Sequence, residues 1–476
     1  MLGLTHIFKY KKTPLLLITL SGLLYLLFAY DLVRTEALKL VFLYVALFFL
    51  AFKIINTSSF FTSSKRSTSF RLLVISAILF RLLFLFAVPN LSQDFYRFIW
   101  DGRMIFEGFN PYLHTPDSFI TLGKFPIKQA QELYNGMGAL SSSHYTNYPP
   151  INQLCFAIAA LFSGKSIVGS VVVMRILIIA ADIGTLYFGK KLLERLKLPS
   201  NRIFWYILNP FIIIELTGNL HFEGVMIFFL VWSLYLLHSD KWKWAAFILA
   251  CSISVKLIPL MFLPLVFWWF TSTTRNDQNT ISKKWFPGFA EITKLISFYT
   301  IIGTTTVLLF LPFFSMQFVN NYSETVGLWF GNFEFNASIY YLLREIGYAI
   351  TGYNEIAIIG KILPVISLVI ILSFSFFKKN NSIPKLTTSI LLAFTCYLFL
   401  STTVHPWYIA TLVILCLFTN YKYPLVWSAA IILSYLSYLS IGTADKSENL
   451  WIVGLEYGIV FSAFIWEVVL NKKIKI

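Results

Sequence analysis

Asp94 and the residues just after it have the types and spacing of a reaction site. The stretch 91–112 reads LSQDFYRFIWDGRMIFEGFNPY, with a carboxylate followed by Tyr96 and Arg97, then Trp100, Asp101 and Arg103. A carboxylate held at a lipid–water boundary is partly desolvated, so its pKa rises and it can take a proton from a hydroxyl. Aromatic faces beside it suit a sugar ring, and the cations suit phosphate or carboxylate. A solvated loop acid or a helix cap is the plainer reading of Asp94, but these neighbours weigh against it. Five acids and four bases lie between Asn90 and Pro149, in a chain that is only 13% charged.

Other candidates are scattered along the chain. Lys256, in the run Ser254-Val255-Lys256-Leu257-Ile258-Pro259, is costly in hydrocarbon; it either snorkels to the interface or offers a point charge to a lipid phosphate. Arg175 and Asp182 stand seven apart on one helix face and fit mutual or interhelical pairing, with phosphate contact as the alternative for Arg175. Arg81 reads as a structural clamp. His221 and Glu223 in GNLHFEG suit a helix cap or an acceptor site, and His405-Pro406-Trp407-Tyr408 sets a donor beside a large aromatic plate. No His, Cys, Asp or Glu cluster has metal-ligand spacing, so no metal and no cofactor are expected. Cys155, Cys251, Cys396 and Cys416 all lie in apolar runs and read as buried thiols.

The elements that must carry these residues are membrane spans. The 476 residues are 57% hydrophobic, and continuous apolar runs approach the ~20 residues that cross a bilayer. The runs do not alternate, which excludes a membrane β-barrel. A polytopic all-α bundle follows. The net charge of +16 comes from bases in short loops at segment ends, a topology signal facing anionic lipid, and nucleic-acid binding is excluded as a function.

In order, spans are expected near 14–30, 37–55 and 72–89, with the basic N-terminus inside. The third delivers the Asp94 loop, 90–150, to the outer face. The apolar run at 151–163 is too short for a crossing and reads as an interfacial helix. Spans near 167–189, 203–217 and 222–238 follow. The 28-residue run 243–270 resolves into two short helices meeting at Lys256 and Pro259 on the outer side, since proline breaks the helical ladder. A polar basic linker, 271–294, lies inside. A span near 295–314, a second outer loop, 315–354, and spans near 355–377, 385–401, 405–420, 424–441 and 450–470 complete 14 crossings. Three modules follow: an N-terminal hairpin, 1–60; a catalytic module, 61–275; and a C-terminal module, 276–476.

An outer-loop acid followed by Tyr96-Arg97, then Gly108-Phe109-Asn110-Pro111-Tyr112 and Tyr148-Pro149-Pro150, resembles the GT-C superfamily of integral-membrane glycosyltransferases. Within it the pattern is most similar to mannosyltransferases that use polyprenyl-phosphate sugars. The resemblance is best over 81–265, and the two N-terminal spans look like an addition. It implies a GT-C-like fold and an inverting transfer of a hexose to a lipid or glycan acceptor. Asp94 is then the general base, with Asp101 as runner-up, because Ser92 and Gln93 precede Asp94 and the familiar Asp-x-Asp form is absent. Taken with the residue types above, the candidate substrate contacts are Tyr96, Arg97, Trp100, Asp101, Arg103, Tyr148, Arg175, His221, Glu223, Lys256, His405 and Trp407. The expected partners are a polyprenyl-phosphate sugar, the acceptor and membrane lipids, with the site on the periplasmic face of a bacterial inner membrane. Two rivals are a lipid-linked sugar flippase, which needs no base, and a surface-polysaccharide polymerase or ligase.

Overall fold

A computed structural model describes residues 12–59, 66–272, 288–331, 333–436 and 448–474. The expected cytosolic N-terminus before Lys12, the middle of the basic linker at 273–287, and the tips at 60–65 and 437–447 lie outside the described residues. Among the described residues the chain is helical, apart from one two-residue bridge between Phe335 and Thr403.

The first two helices, α1 (Lys12–Tyr30) and α2 (Ala37–Ser59), form an antiparallel hairpin. They are apolar on every side, and Leu16, Leu23, Phe42 and Phe49 remain exposed. That is the surface expected of a helix solvated by lipid. In the turn between them Lys39 holds both Asp31 (2.8 Å) and Glu36 (3.0 Å). Next comes α3 (Arg66–Leu83), which lies earlier than the expected span at 72–89 and ends before the apolar run does. Its Arg81 is 1% exposed and donates to Asp182 at 2.7 Å and to the Ile207 carbonyl at 2.7 Å. Asp182 is therefore the partner of Arg81 and not of Arg175.

The segment expected to form the first outer loop is largely helical, with α4 (Asp94–Phe106) and α5 (Ala130–Ser142), and the short apolar run expected to lie at the interface forms α6 (Pro150–Ser163). Gly102 lets α4 cross α6 closely, since a Cβ there would sit 2.2 Å from the Phe156 carbonyl oxygen. Phe98 stacks on Phe156 at 4.7 Å across the same crossing. The 14 residues of α6 are too few to cross a bilayer, and Leu154, Leu161 and Phe162 are exposed along it.

A long span, α7 (Ile167–Arg195), leads to the main departure from the hydropathy reading. The expected span at 203–217 is instead three short pieces, because Asn209-Pro210 interrupts the ladder: Ser200–Ile203, Phe204–Ile207 and α8 (Pro210–Gly218). Helix α8 then meets α9 (Glu223–His238) at a bend of 116°. The two are halves of one broken element, with 219–222 at the break. After them α10 (Trp242–Ile253) and α11 (Ile258–Thr271) part at Lys256, as the proline there requires.

The second half contains α12 (Phe289–Phe310), α13 (Met316–Gly331), α14 (Ile339–Thr351), α15 (Ile356–Phe377), α16 (Ile383–Leu400), α17 (Pro406–Cys416), α18 (Tyr423–Leu436) and α19 (Leu450–Val469). Among the described residues seven helices are long and apolar enough to cross a membrane, with the bent pair as an eighth and five shorter apolar helices besides. The all-α polytopic architecture stands. The count of 14 full crossings does not map one to one, because several apolar runs are broken or half-length. The halves are fastened together by Tyr44, which donates to the Ser428 carbonyl at 2.6 Å, and by Asn209, which donates to Ser428 Oγ at 3.0 Å. Cys155, Cys251 and Cys416 are buried, and all four cysteines are free thiols.

Candidate active site

Asp94 is the first residue of α4, and its backbone N–H donates to Ser92 Oγ at 3.3 Å. A carboxylate in the first turn faces the positive end of the helix dipole, which lowers its pKa. Burial outweighs that: desolvation pushes Asp94 up to about 6, Glu223 adds to the rise, and the charges of Lys256 and Arg34 oppose it. Asp94 as a whole is half-buried. Such a group is mostly ionised at neutral pH yet basic enough to accept a proton.

Lys256 comes from the α10–α11 break. It lies 3.1 Å from Glu223 Oε1 and 4.9 Å from the centre of the Tyr148 ring. The backbone of the break is tied to α6, where Ile151 N–H donates to the Ser254 carbonyl at 2.9 Å. Glu223 opens α9 and is fully buried, and apart from this ion pair neither of its oxygens has a hydrogen-bond donor among the described residues. The α8–α9 bend therefore aims a carboxylate without a hydrogen-bond donor at the lysine, and both charges act on Asp94. Buried acceptors left in this state are usually waiting for water or a ligand.

His221, in the same bend, stacks on Trp407 at 3.6 Å between ring centres, and His405 stacks on that indole at 4.6 Å. Burial, with the charge of Lys256, lowers His405 to about 3, so the stack is neutral in ordinary buffers. The bridge holding Phe335 to Thr403 fixes this wall: Phe335 N–H donates to Thr402 at 3.0 Å, and Val404 N–H donates to Phe335 at 2.8 Å.

The remaining candidates have structural employment. Arg97 donates to Asp101 at 2.8 Å and to the Ser141 and His144 carbonyls, and Asp101 also accepts from Gln153 at 3.0 Å. Asp101 is fully buried and Trp100 nearly so, and Arg103 donates to the Lys128 carbonyl at 2.6 Å. Tyr96 packs against Gly136. Arg175 donates to the carbonyls of Thr217 (2.8 Å), Gly218 (2.8 Å) and Leu85 (2.9 Å). It satisfies the open C-terminal carbonyls of α8 and ties them to the segment leading to Asp94. These contacts hold together the segment that carries Asp94.

Two residues escaped the sequence reading. Glu215, fully buried in α8, accepts from Tyr435 Oη at 2.9 Å with both oxygens, from Asn219 at 3.4 Å, and lies 3.9 Å from His221 Nε2. Arg34, from the α1–α2 turn, has its guanidinium carbon 5.9 Å from the centre of the Tyr435 ring. A lone acid in the apolar run FIIIELTG is a signal in itself, because intramembrane carboxylates are expensive. Arg34 carried no such signal, since a charge in a short turn between spans is ordinary.

Fold and site together define a multi-pass helical membrane protein with a desolvated carboxyl under the charge of a lysine that is itself paired to a buried glutamate. Residues 17–272 match the family described as alpha-(1->6)-mannopyranosyltransferase, N-terminal domain, and the chain belongs to that family. It is also similar to the alpha-(1->6)-mannopyranosyltransferase A of Corynebacterium glutamicum, with 22% identity over 213 residues. That alignment covers 43% of this chain and 41% of the relative. The family match begins inside α1, so the N-terminal hairpin lies almost wholly within the shared region.

Proposed function

We propose that the protein is an inverting mannosyltransferase. It takes mannose from a polyprenyl-phosphate donor and delivers it to a hydroxyl of a lipid or glycan acceptor at the outer face of a bacterial inner membrane. The observation that carries this reading is the Lys256–Glu223 pair at 3.1 Å, both of whose charges act on the desolvated carboxyl of Asp94, in a chain of this family.

The acceptor hydroxyl attacks the anomeric carbon from the face opposite the phosphate. Its proton passes to Asp94, the bond from C1 to the phosphate oxygen breaks, and polyprenyl phosphate leaves with the bonding pair. Lys256 meets the charge that develops on the departing phosphate. Tyr148 and the His221–Trp407–His405 stack offer flat faces to the sugars, and Glu223 accepts a hydroxyl proton in a hydrogen bond. The name of the Corynebacterium relative suggests an α-(1→6) product, which calls for attack by an uncrowded primary hydroxyl. A monophosphate leaving group needs less metal help than a diphosphate, so the transfer is expected to run without a divalent ion.

The test is incubation of the purified protein with polyprenyl-phosphate mannose and a mannolipid acceptor. Release of polyprenyl phosphate together with a longer mannolipid is the expected result. Movement of intact donor across proteoliposomes with no release would favour a flippase and end the transferase reading.

A further inference from the structure

At the end of the bundle away from Asp94 lies a cavity that the proposed transfer does not use. Its volume is about 450 Å³, and it is lined by Lys378, Lys379, Asn380, Lys385, Ser389 and Asn420, where α15 ends and α16 begins. Helix α16 has 18 residues, and at ~1.5 Å per residue it rises roughly 27 Å from this cavity toward Thr403 and the His405 wall. The two sites therefore stand at opposite ends of one helix. The polar lining is fixed in place. Asn380 is almost fully buried; its amide donates to the carbonyls of Leu265 and Phe374, both at 3.2 Å, and its Oδ1 accepts from Ser389 Oγ at 2.7 Å. Arg202 donates to the Thr419 carbonyl at 3.2 Å and so holds the turn that carries Asn420.

The cations here have no anion of their own. Among the described residues none of the three lysines makes an ion pair; Lys385 Nζ donates to the neutral Asn381 Oδ1 at 3.2 Å, and Lys378 lies 4.2 Å from the centre of the Phe374 ring. Glu467, the acid that reaches the neighbouring turn, accepts from the N–H groups of Lys422 (2.6 Å) and Tyr423 (2.8 Å), so its charge faces backbone donors. The start of α16 adds to the positive field. Pro384 and Lys385 of its first turn line the cavity, and no side chain caps the helix. Its open N–H groups and dipole favour negative charge at the same place.

The level of the cavity along the bundle distinguishes a lipid from a soluble anion. Phe376 and Phe377, which precede Lys378, are 52% and 86% exposed at the end of a span, and Trp268 Nε1 donates to the Phe376 carbonyl at 3.0 Å. Exposed aromatics followed at once by lysines are the mark of headgroup depth. We propose that the cavity binds the phosphate headgroup of an anionic phospholipid, with the phosphodiester among Lys378, Lys379 and Lys385 and the acyl chains along Phe376 and Phe377. Basic pockets between spans on the cytosolic side suit such headgroups, and the basic loops place this end of the bundle there. A lipid so held braces α15, α16 and the turn before α18, and so stabilises the fold by mass action. No step of mannose transfer enters the proposal, which stands apart from the transferase reading.

The experiment titrates the delipidated full-length protein in detergent with phosphatidylglycerol or phosphatidylcholine, reading bound lipid by native mass spectrometry and the fold by thermal unfolding. Inorganic phosphate serves as a competitor. Wild type is compared with the triple variant K378Q/K379Q/K385Q and with K190Q/K191Q/K197Q, which removes as many charges from the basic end of α7. Phosphatidylglycerol should bind wild type and raise its unfolding temperature, while phosphatidylcholine should do neither. A lysine beside an anionic lipid is worth about fivefold in affinity, so the cavity variant should bind phosphatidylglycerol roughly a hundredfold more weakly. The α7 variant should match wild type. Equal loss in the two triple variants would make the attraction a general property of basic loops and overturn the site, as would equal binding of phosphatidylcholine. Displacement of the lipid by an equal concentration of inorganic phosphate would make the occupant a free anion and also end the proposal. If the cavity variant does not run as a single peak on size exclusion, K379Q and K385Q decide separately. Each should bind about fivefold more weakly, and wild-type affinity in both counts against the site.

Discussion

Replacing Asp94 with Asn should remove activity and add stability, and both effects follow from one cause. Burial raises the carboxyl from 3.8 to about 6 in the folded protein. In its proposed role as general base it works only when ionised, so kcat/KM should rise with pH through about 6 and level off above it. About one molecule in ten is competent at pH 5, and about nine in ten at pH 7. Asp94→Asn keeps the shape and removes the base, and the loss expected is ~10²–10⁴-fold in kcat. The stability side has a definite sign. A carboxyl whose folded pKa lies above its unfolded value stabilises the fold below the unfolded value, and that contribution is lost as pH rises through about 6. Wild type therefore carries a penalty at pH 8 that the amide does not. A shift of about two units sets a ceiling of roughly 3 kcal/mol on this penalty. The assay pairs a pH series of mannose transfer with thermal unfolding in detergent for both proteins at pH 5 and pH 8. The reasoning fails if Asp94→Asn keeps more than a tenth of wild-type kcat, or if the wild-type rate is flat down to pH 4.5. A variant no more stable than wild type at pH 8 would remove desolvation as the cause.

Lys256→Met should move the acid limb above 6, because the lysine charge opposes the rise at Asp94, and should lower kcat by ~10²-fold or more as the phosphate loses its counter-charge. A pH profile at saturating donor checks both. Arg175→Leu should leave the α8 carbonyls of Thr217 and Gly218 without their donor and cost about 3 kcal/mol or more, read as lost folded yield on size exclusion. Gly102→Ala forces α4 away from α6 and should cost roughly 1–3 kcal/mol, with a matching drop in melting temperature. Exhaustive EDTA treatment should leave the initial rate of mannose transfer unchanged.

The architecture was legible where physics is monotonous. Long apolar runs, basic loop ends and the proline beside Lys256 gave the helical bundle, the short α6 and the α10–α11 break. The α8–α9 bend was not legible as such. Asn209-Pro210 and Gly218-Asn219 were visible, but hydropathy reads apolar length and is blind to direction. Side-chain employment was equally hidden. In the sequence Arg97, Asp101 and Arg175 look as available as Lys256, and only the fold reveals that carbonyls and one another already occupy them. Arg34 and Tyr435 meet across four hundred residues, and no local pattern carries that information.

The wall made by His405, Trp407 and Phe335 has a consequence for biosynthesis. During insertion the ribosome delivers Asp94 and Lys256 long before Phe335 and Trp407, so the half-emerged chain lacks one wall of the proposed site. Chemistry there would waste activated sugar on water. Competence must wait for the last third of translation, and a messenger truncated after α12 should yield a silent product that also lacks the ties of Tyr44 and Asn209 to Ser428.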